Sequence, residues 1–193
     1  MKVCVATNNF HKLQEIQQAI GSRITLLTLR EIGCYDELPE TSDTLEGNAI
    51  QKAQFVAQRY QIPCFADDTG LEVEALNGAP GVHTAYYAGK ERDALKNNLL
   101  LLKNLEGYSN RNAQFRTVIA WVWHNEISLF EGVVRGKIAT QLDSGTQGFG
   151  YDPLFIPEGF DIPFSQMDIA TKNAISHRGK ALKKLIEFLN QRL

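Results

Sequence analysis

The chain has 193 residues, 44% of them hydrophobic and 22% charged, with a formal net charge of -2. That length supplies one substantial core, or two lobes around a cleft, and the near-neutral balance argues against nucleic acid as a partner. No apolar run is long enough to span a bilayer, and Met1-Lys2 leads straight into the first expected strand, so no membrane role is expected and a cytoplasmic setting is. Cys4, Cys34 and Cys64 are odd in number and lack zinc spacing, so they read as buried, reduced thiols.

In chain order, Lys2–Ala6 is an apolar strand and Thr7-Asn8-Asn9 a turn rich in helix-capping residues. From Lys12 a helical pattern runs to Gly21, with Leu13, Ile16, Ala19 and Ile20 on one face and Gln14, Glu15, Gln17 and Gln18 outside. Ile24–Leu29 reads as a strand and Glu31–Glu46 as a loop, and a second helix covers about Thr44–Tyr60 with Ala49 and Ala53 on its packing face. Ile62–Phe65 leads into Ala66-Asp67-Asp68-Thr69-Gly70, read as a buried strand that turns at Gly70. Leu71–Leu76 alternates like a surface strand, Asn77–Gly81 is a tight loop, and Asp93–Leu105 is a helix. Phe115–Trp123 and Glu126–Arg135 form a hairpin about His124-Asn125. A Gly-rich loop spans Thr146–Pro153, a strand follows at Leu154–Ile156, and a last helix covers about Ser176–Leu193. Alternating βα units with a hairpin predict an α/β fold with a mixed sheet.

The most informative feature is the doublet Asp67-Asp68 at the expected end of a strand, where open α/β sheets place ligands. Adjacent carboxylates repel and are costly to bury unless a cation answers them, and Mg2+ suits one or two carboxylates together with water and phosphate oxygens. An Asp-Asp turn capping a helix explains the doublet equally well. Four further clusters lie at element boundaries. Thr7–Lys12 offers a helix N-terminus and a lysine to an anion, or is an ordinary cap. It lacks the glycines of a P-loop. Glu40-Thr41 precedes Asn48 and Lys52, which are four apart and share a helical face. Lys52 is then a site lysine or a snorkelling surface one, and Glu40 a loop carboxylate or a metal ligand. In Gly148-Phe149-Gly150-Tyr151-Asp152-Pro153 the glycines let backbone bend around a flat group on which Phe149 would stack. Lys172 to Arg178 ends with His177 and Arg178 in the first turn of the last helix, where a cation opposes the helix dipole unless something negative meets it.

Taken in order, Thr-Asn-Asn-x-x-Lys at 7–12, Glu-Thr at 40–41, Asn48-Ala49, Lys52-Ala53, Ala-Asp-Asp-Thr-Gly-Leu at 66–71, Gly-Ala-Pro-Gly at 78–81, Phe-Gly-Tyr-Asp-Pro at 149–153 and Ser-His-Arg-Gly at 176–179 resemble the inosine triphosphate pyrophosphatase family over essentially the whole chain. The resemblance implies a single two-lobed α/β domain (1–193) around a long mixed central sheet flanked by helices, with the active site in a cleft between lobes. It implies a homodimer and a Mg2+-dependent hydrolysis of non-standard purine nucleoside triphosphates (ITP, dITP, XTP) to the monophosphate and pyrophosphate. It makes Asp68 the catalytic base, and Glu40 and Asp68 the metal ligands. Thr7, Asn8, Asn9, Lys12, Lys52 and Thr69 would hold triphosphate and sugar, and Phe149, Gly150, Tyr151, Asp152, Lys172, His177 and Arg178 the base. Tyr86 stands where relatives usually carry Arg, and His83 where an aromatic is common. Thr69 replaces a frequent Ser and keeps the hydroxyl. The rival expectation is a purine-nucleotide sensor without catalysis, which would have no use for the carboxylates.

Overall fold

The computed structural model describes residues 1–145 and 148–192. Thr146 and Gln147 of the expected Gly-rich loop, and Leu193, to which the last helix was expected to run, lie outside the described residues. The strands are β1 (Lys2–Val5), β2 (Thr25–Leu27), β3 (Cys64–Val73), β4 (Pro80–Gly81), β5 (Asn112–Trp123), β6 (Glu126–Ile138) and β7 (Phe155–Pro157). The helices are α1 (Phe10–Ala19), α2 (Leu45–Tyr60), α3 (Ala94–Asn104), α4 (Ile169–Ile175) and α5 (His177–Asn190). The strands form one mixed sheet in the order β2-β1-β3-β5-β6-β7, with β4 on β3. The expected α/β class with a mixed central sheet and flanking helices is thus the observed one.

The chain divides into two compact units. The first comprises Met1–Asp68, Thr117–Gly132 and His177–Leu193, and the second Thr69–Arg116 and Val133–Ser176.

In the first unit β1 pairs in parallel with β2 and with β3, Cys4 facing Leu27 on one side and Cys64 on the other. Successive side chains of a strand point to opposite faces, and here the parity is clean. Val3, Val5 and Phe65 pack with Ile16 of α1 and Leu182 and Leu185 of α5. Cys4, Ala6, Cys64 and Ala66 pack with Ala49 and Ala53 of α2. The small alanines thus lie on the packing face that the spacing predicts. All three cysteines are buried, free thiols, also as expected.

In the second unit one core gathers Leu71, Val73, Leu101, Leu105, Phe115, Ile138, Phe155 and Phe164. β4 pairs antiparallel to β3, and β7 antiparallel to β6.

Three expectations need correction. The strand that was to turn at Gly70 continues to Val73. Reversal comes later, where Asn77 and Gly78 adopt φ of 53° and 86°. A glycine inside a strand weakens it without ending it, so Gly70 was a poor stop signal. The run Leu71–Leu76 is accordingly no separate strand: its first three residues finish β3, and Glu74–Leu76 is a 3-10 helix. Finally, α4 was not foreseen. Asp168 starts it by accepting from the Thr171 amide at 2.8 Å, and Ser176, in extended conformation, separates it from α5 at the position directly before that helix where a cap was expected.

Candidate active site

The alternation of β3 settles the Asp-Asp doublet. Asp67 falls on the parity of Phe65, toward α1 and α5, and Asp68 on that of Ala66, toward α2. The two carboxylates therefore point to opposite faces, and each is answered by protein cations on its own face.

Asp67 is buried, and its Oδ2 takes Lys12 Nζ at 3.0 Å and Arg178 Nε at 3.1 Å. Burial alone would raise its pKa, but the attraction of Lys12 and Arg178 outweighs it and holds the carboxyl well below the usual range. Arg178, fully buried in the first turn of α5, also donates to Glu15 of α1, and its pKa is raised by Glu15 and Asp67 against the penalty of burial. The charge that opposed the helix dipole is met by two carboxylates of the chain itself. Glu15 is buried. Its expected place outside the helix is a correction, and the available signal was its i+3 spacing from Lys12, which puts both on one face. Burial depresses the Lys12 pKa, with Arg178 and Lys52 acting in the same direction and Asp67 against them.

On the other face, Lys52 reaches from α2 into the gap between two carboxylates, 2.7 Å from Glu40 Oε1 and 3.0 Å from Asp68 Oδ1. It also donates to the Asp67 carbonyl at 2.9 Å. Asn48, one turn earlier, donates from Nδ2 to Asp68 Oδ2 at 3.4 Å while its Oδ1 accepts from the Ser42 amide at 2.9 Å. The shared helical face predicted for Asn48 and Lys52 is therefore the one that meets Asp68. Burial pushes the Asp68 carboxyl up, Lys52 working against it. Lys52 is buried too, yet Asp68 and Glu40 raise its pKa.

At the start of α1, Asn9 caps the helix by accepting from the amides of His11 and Lys12 at 3.0 and 3.2 Å, and Thr7 Oγ1 accepts from the Asn9 amide at 3.1 Å. Two of the amides credited to an anion site are thus used by the cap. Asn8 is exposed and Thr7 half-buried. The His177 backbone lies against β6: a Cβ at Gly132 would collide with the His177 carbonyl and the Ala181 amide. Glycine here lets α5 approach the strand and so seats both His177 and Arg178.

The second unit holds the other predicted residues. Asp152 Oδ2 accepts from the Phe149 amide and from Lys172 Nζ, both at 2.7 Å. Lys172 also stands 4.9 Å from the centre of the Phe149 ring and 5.6 Å from that of Phe164. A Cβ at Gly148, which has φ of 79°, would meet the Asp152 carboxylate, so the turn needs glycine on both counts. Tyr151 is buried and donates to the Thr84 carbonyl at 2.9 Å. Thr69 opens this unit directly after Asp68 in β3. His83 and Tyr86, the two departures from the family pattern, contact each other, Nδ1 lying 3.1 Å from the tyrosine hydroxyl with the rings edge-on at 5.4 Å.

Sequence reasoning passed over one further polar clasp in this unit. Asp143 accepts from Ser165 Oγ and Gln166 Nε2 at 2.6 Å each, and from the Gly145 amide at 2.7 Å, just before the Gly-rich loop.

The Ham1 family profile matches residues 3–188. A Flavobacterium johnsoniae protein named dITP/XTP pyrophosphatase is 50% identical over 189 residues, covering 98% of each chain. A Porphyromonas gingivalis protein of the same name is 51% identical over 97% of each chain. Among solved structures, the Staphylococcus aureus Ham1 protein superposes with a TM-score of 0.90 at 35% identity over the whole of both chains. The Coxiella burnetii HAM1 protein gives the same TM-score at 36% identity over 99% of each. Family profile, near-complete coverage and backbone likeness agree: this chain belongs to the Ham1 family.

Proposed function

We propose that the protein is a nucleoside-triphosphate pyrophosphatase that hydrolyses non-standard purine nucleoside triphosphates, the ITP, dITP and XTP class, to the monophosphate and pyrophosphate. The observation that carries the reading is Asp68: a carboxylate in β3 whose pKa is pushed up by burial, with Lys52 Nζ 3.0 Å from its Oδ1 working against that push. Asp68 orients a water and takes its proton as the water attacks the α-phosphorus. Lys12 and Lys52 offset the charge that gathers on the departing pyrophosphate. The doublet's neighbours Thr7, Asn8, Asn9 and Thr69 hold phosphate and sugar in this reading. Phe149 stacks on the purine, Gly150 and Tyr151 shape its turn, and Asp152, Lys172, His177 and Arg178 serve the base pocket. A 6-oxo purine suits polar donors that a 6-amino group would leave unpaired.

The reaction calls for a divalent cation, for which we propose Mg2+. Among the described residues no group of three or more His, Cys, Asp or Glu side chains is arranged to hold a metal. Two carboxylates suffice for Mg2+, which takes the rest of its shell from water and substrate phosphates. Glu40 Oε1 and Asp68 Oδ1 both contact Lys52 Nζ, so they lie no farther apart than the sum of those two distances. The pair supplies the hard oxygen ligands such an ion prefers, and the ion when bound would polarise the phosphates. The chain is further proposed to act as one cytoplasmic domain and as a homodimer. No described helix is long and apolar enough to cross a membrane.

The test is release of pyrophosphate from a panel of ITP, XTP, GTP and ATP, with Mg2+ and with excess chelator. Rapid Mg2+-dependent release from the first two, and little from ATP, is expected. Tight nucleotide binding without any turnover would favour the sensor instead.

A further inference from the structure

Gly150 follows the stacking residue Phe149 and takes φ of 62°, with nothing within 4 Å of where a Cβ would stand. Side-chain packing does not hold that point of the turn; a hydrogen bond does. Asn98, buried on α3, donates from Nδ2 to the Gly150 carbonyl at 2.8 Å, and with the same amide to the Ala94 carbonyl one turn back at 2.8 Å. Its neighbour Asn97, also buried, accepts from the Ala88 amide at 2.7 Å and donates to the Ala85 carbonyl at 3.0 Å. Consecutive helical residues diverge by about 100°, so α3 sends one amide to the turn that carries Phe149 and the other to the segment that carries Tyr86.

We propose that Asn98 is a positioning residue for purine recognition: its amide fixes the Gly150 turn and thereby the place at which Phe149 meets the base of a purine 5′-nucleotide. The proposal rests on the reading of Phe149 as the stacking residue. A part-buried carbonyl stripped of its donor draws the turn toward water or another donor, and the stacked ring moves with it. Phosphate binding draws on the first unit's lysines and does not depend on this turn.

The experiment compares the wild-type chain with Asn98→Asp and Asn98→Ser. Aspartate keeps the shape but turns a carboxylate toward two carbonyl oxygens. Serine keeps a hydroxyl able to reach Ala94 on its own helix but too short for Gly150. Binding of inosine monophosphate and of pyrophosphate is measured directly by calorimetry, so no turnover is needed, and thermal unfolding is followed in parallel. In both variants the monophosphate is expected to bind about tenfold more weakly, while pyrophosphate binding stays within about twofold. For ITP, KM rises and kcat at saturation holds. Parallel loss of both ligands, unchanged monophosphate binding, or unfolding of both variants would overturn the proposal. A wild-type chain that bound pyrophosphate but no purine monophosphate would instead remove the base-pocket reading itself, which separates the two failures.

Discussion

Asp67 and Asp68 are the same residue twice, yet opposite faces of one strand give them opposite acidities. Asp67, between Lys12 and Arg178, is held ionised and fixes one half-buried and one buried cation. Asp68 is pushed up by burial and faces Lys52. Exchange for asparagine should therefore separate their roles. Asp68→Asn is expected to fold normally and lose ~10²–10⁴ in kcat, the share that general-base catalysis supplies. Asp67→Asn leaves the buried Arg178 and the half-buried Lys12 under-compensated and is expected to cost about 3–5 kcal/mol of stability, read as a fall in urea midpoint. A near-normal kcat for the first variant would deny Asp68 its part.

Between α5 and β6 the contact is set by the absence of one methyl group. Gly132→Ala must push the α5 backbone outward at His177 and Ala181, since the clash is with main-chain atoms that cannot rotate away. Overpacking of this kind costs about 1–3 kcal/mol. Urea unfolding should register that loss, and because Arg178 shares the displaced turn, KM for ITP should rise with it. Elements were legible in the sequence where their periodicity was regular: α1, α2, α3, the hairpin and the start of β3. They were misread where one residue stood as punctuation, as Gly70 did. Lys12, Lys52, Glu40 and Asp68 were singled out because they sit in ordered motifs, and the fold sets Lys12 on Asp67 and Lys52 between Glu40 and Asp68. Glu15 was placed outside because a helical pattern treats a charged side chain as solvent-facing, and its partner Arg178 lies 163 residues away. Asn98 was hidden within a leucine run, since nothing local distinguishes an amide that grips a distant carbonyl from one that meets water.

Across the whole molecule, several carboxylates are more acidic in the fold than in the unfolded chain. Asp67 is so through its cations, against the effect of burial. Asp143 is held down chiefly by Ser165 and Gln166, and Asp168 by the Thr171 amide and hydroxyl. A carboxyl whose folded pKa lies below its unfolded one stabilises the fold above the unfolded value, and that contribution is lost as pH falls through the folded one. Resistance to urea should therefore be flat from about pH 7 to 5 and decline steadily from about pH 4 downward. A midpoint at pH 3 equal to that at pH 6 would contradict these assignments.

The lysine that spans Glu40 and Asp68 has a kinetic consequence. In the nucleotide-free protein Lys12, Lys52 and Arg178 face Glu15, Glu40, Asp67 and Asp68, three positive charges against four negative. So nearly balanced a cluster offers little to a lone divalent ion, which would have to displace an ammonium at 2.7 Å. It offers more to a cation arriving with a polyanion, because the phosphates can then accept the lysine as the ion takes its place. If Mg2+ and a nucleoside triphosphate are the ion and the substrate, the two are expected to enter as one complex. Initial velocity should track the concentration of the metal–nucleotide complex rather than that of free metal, and titrating Mg2+ alone into the protein should give only millimolar affinity, of the order of 1 mM or weaker. Saturable micromolar binding of the free ion would reverse that order.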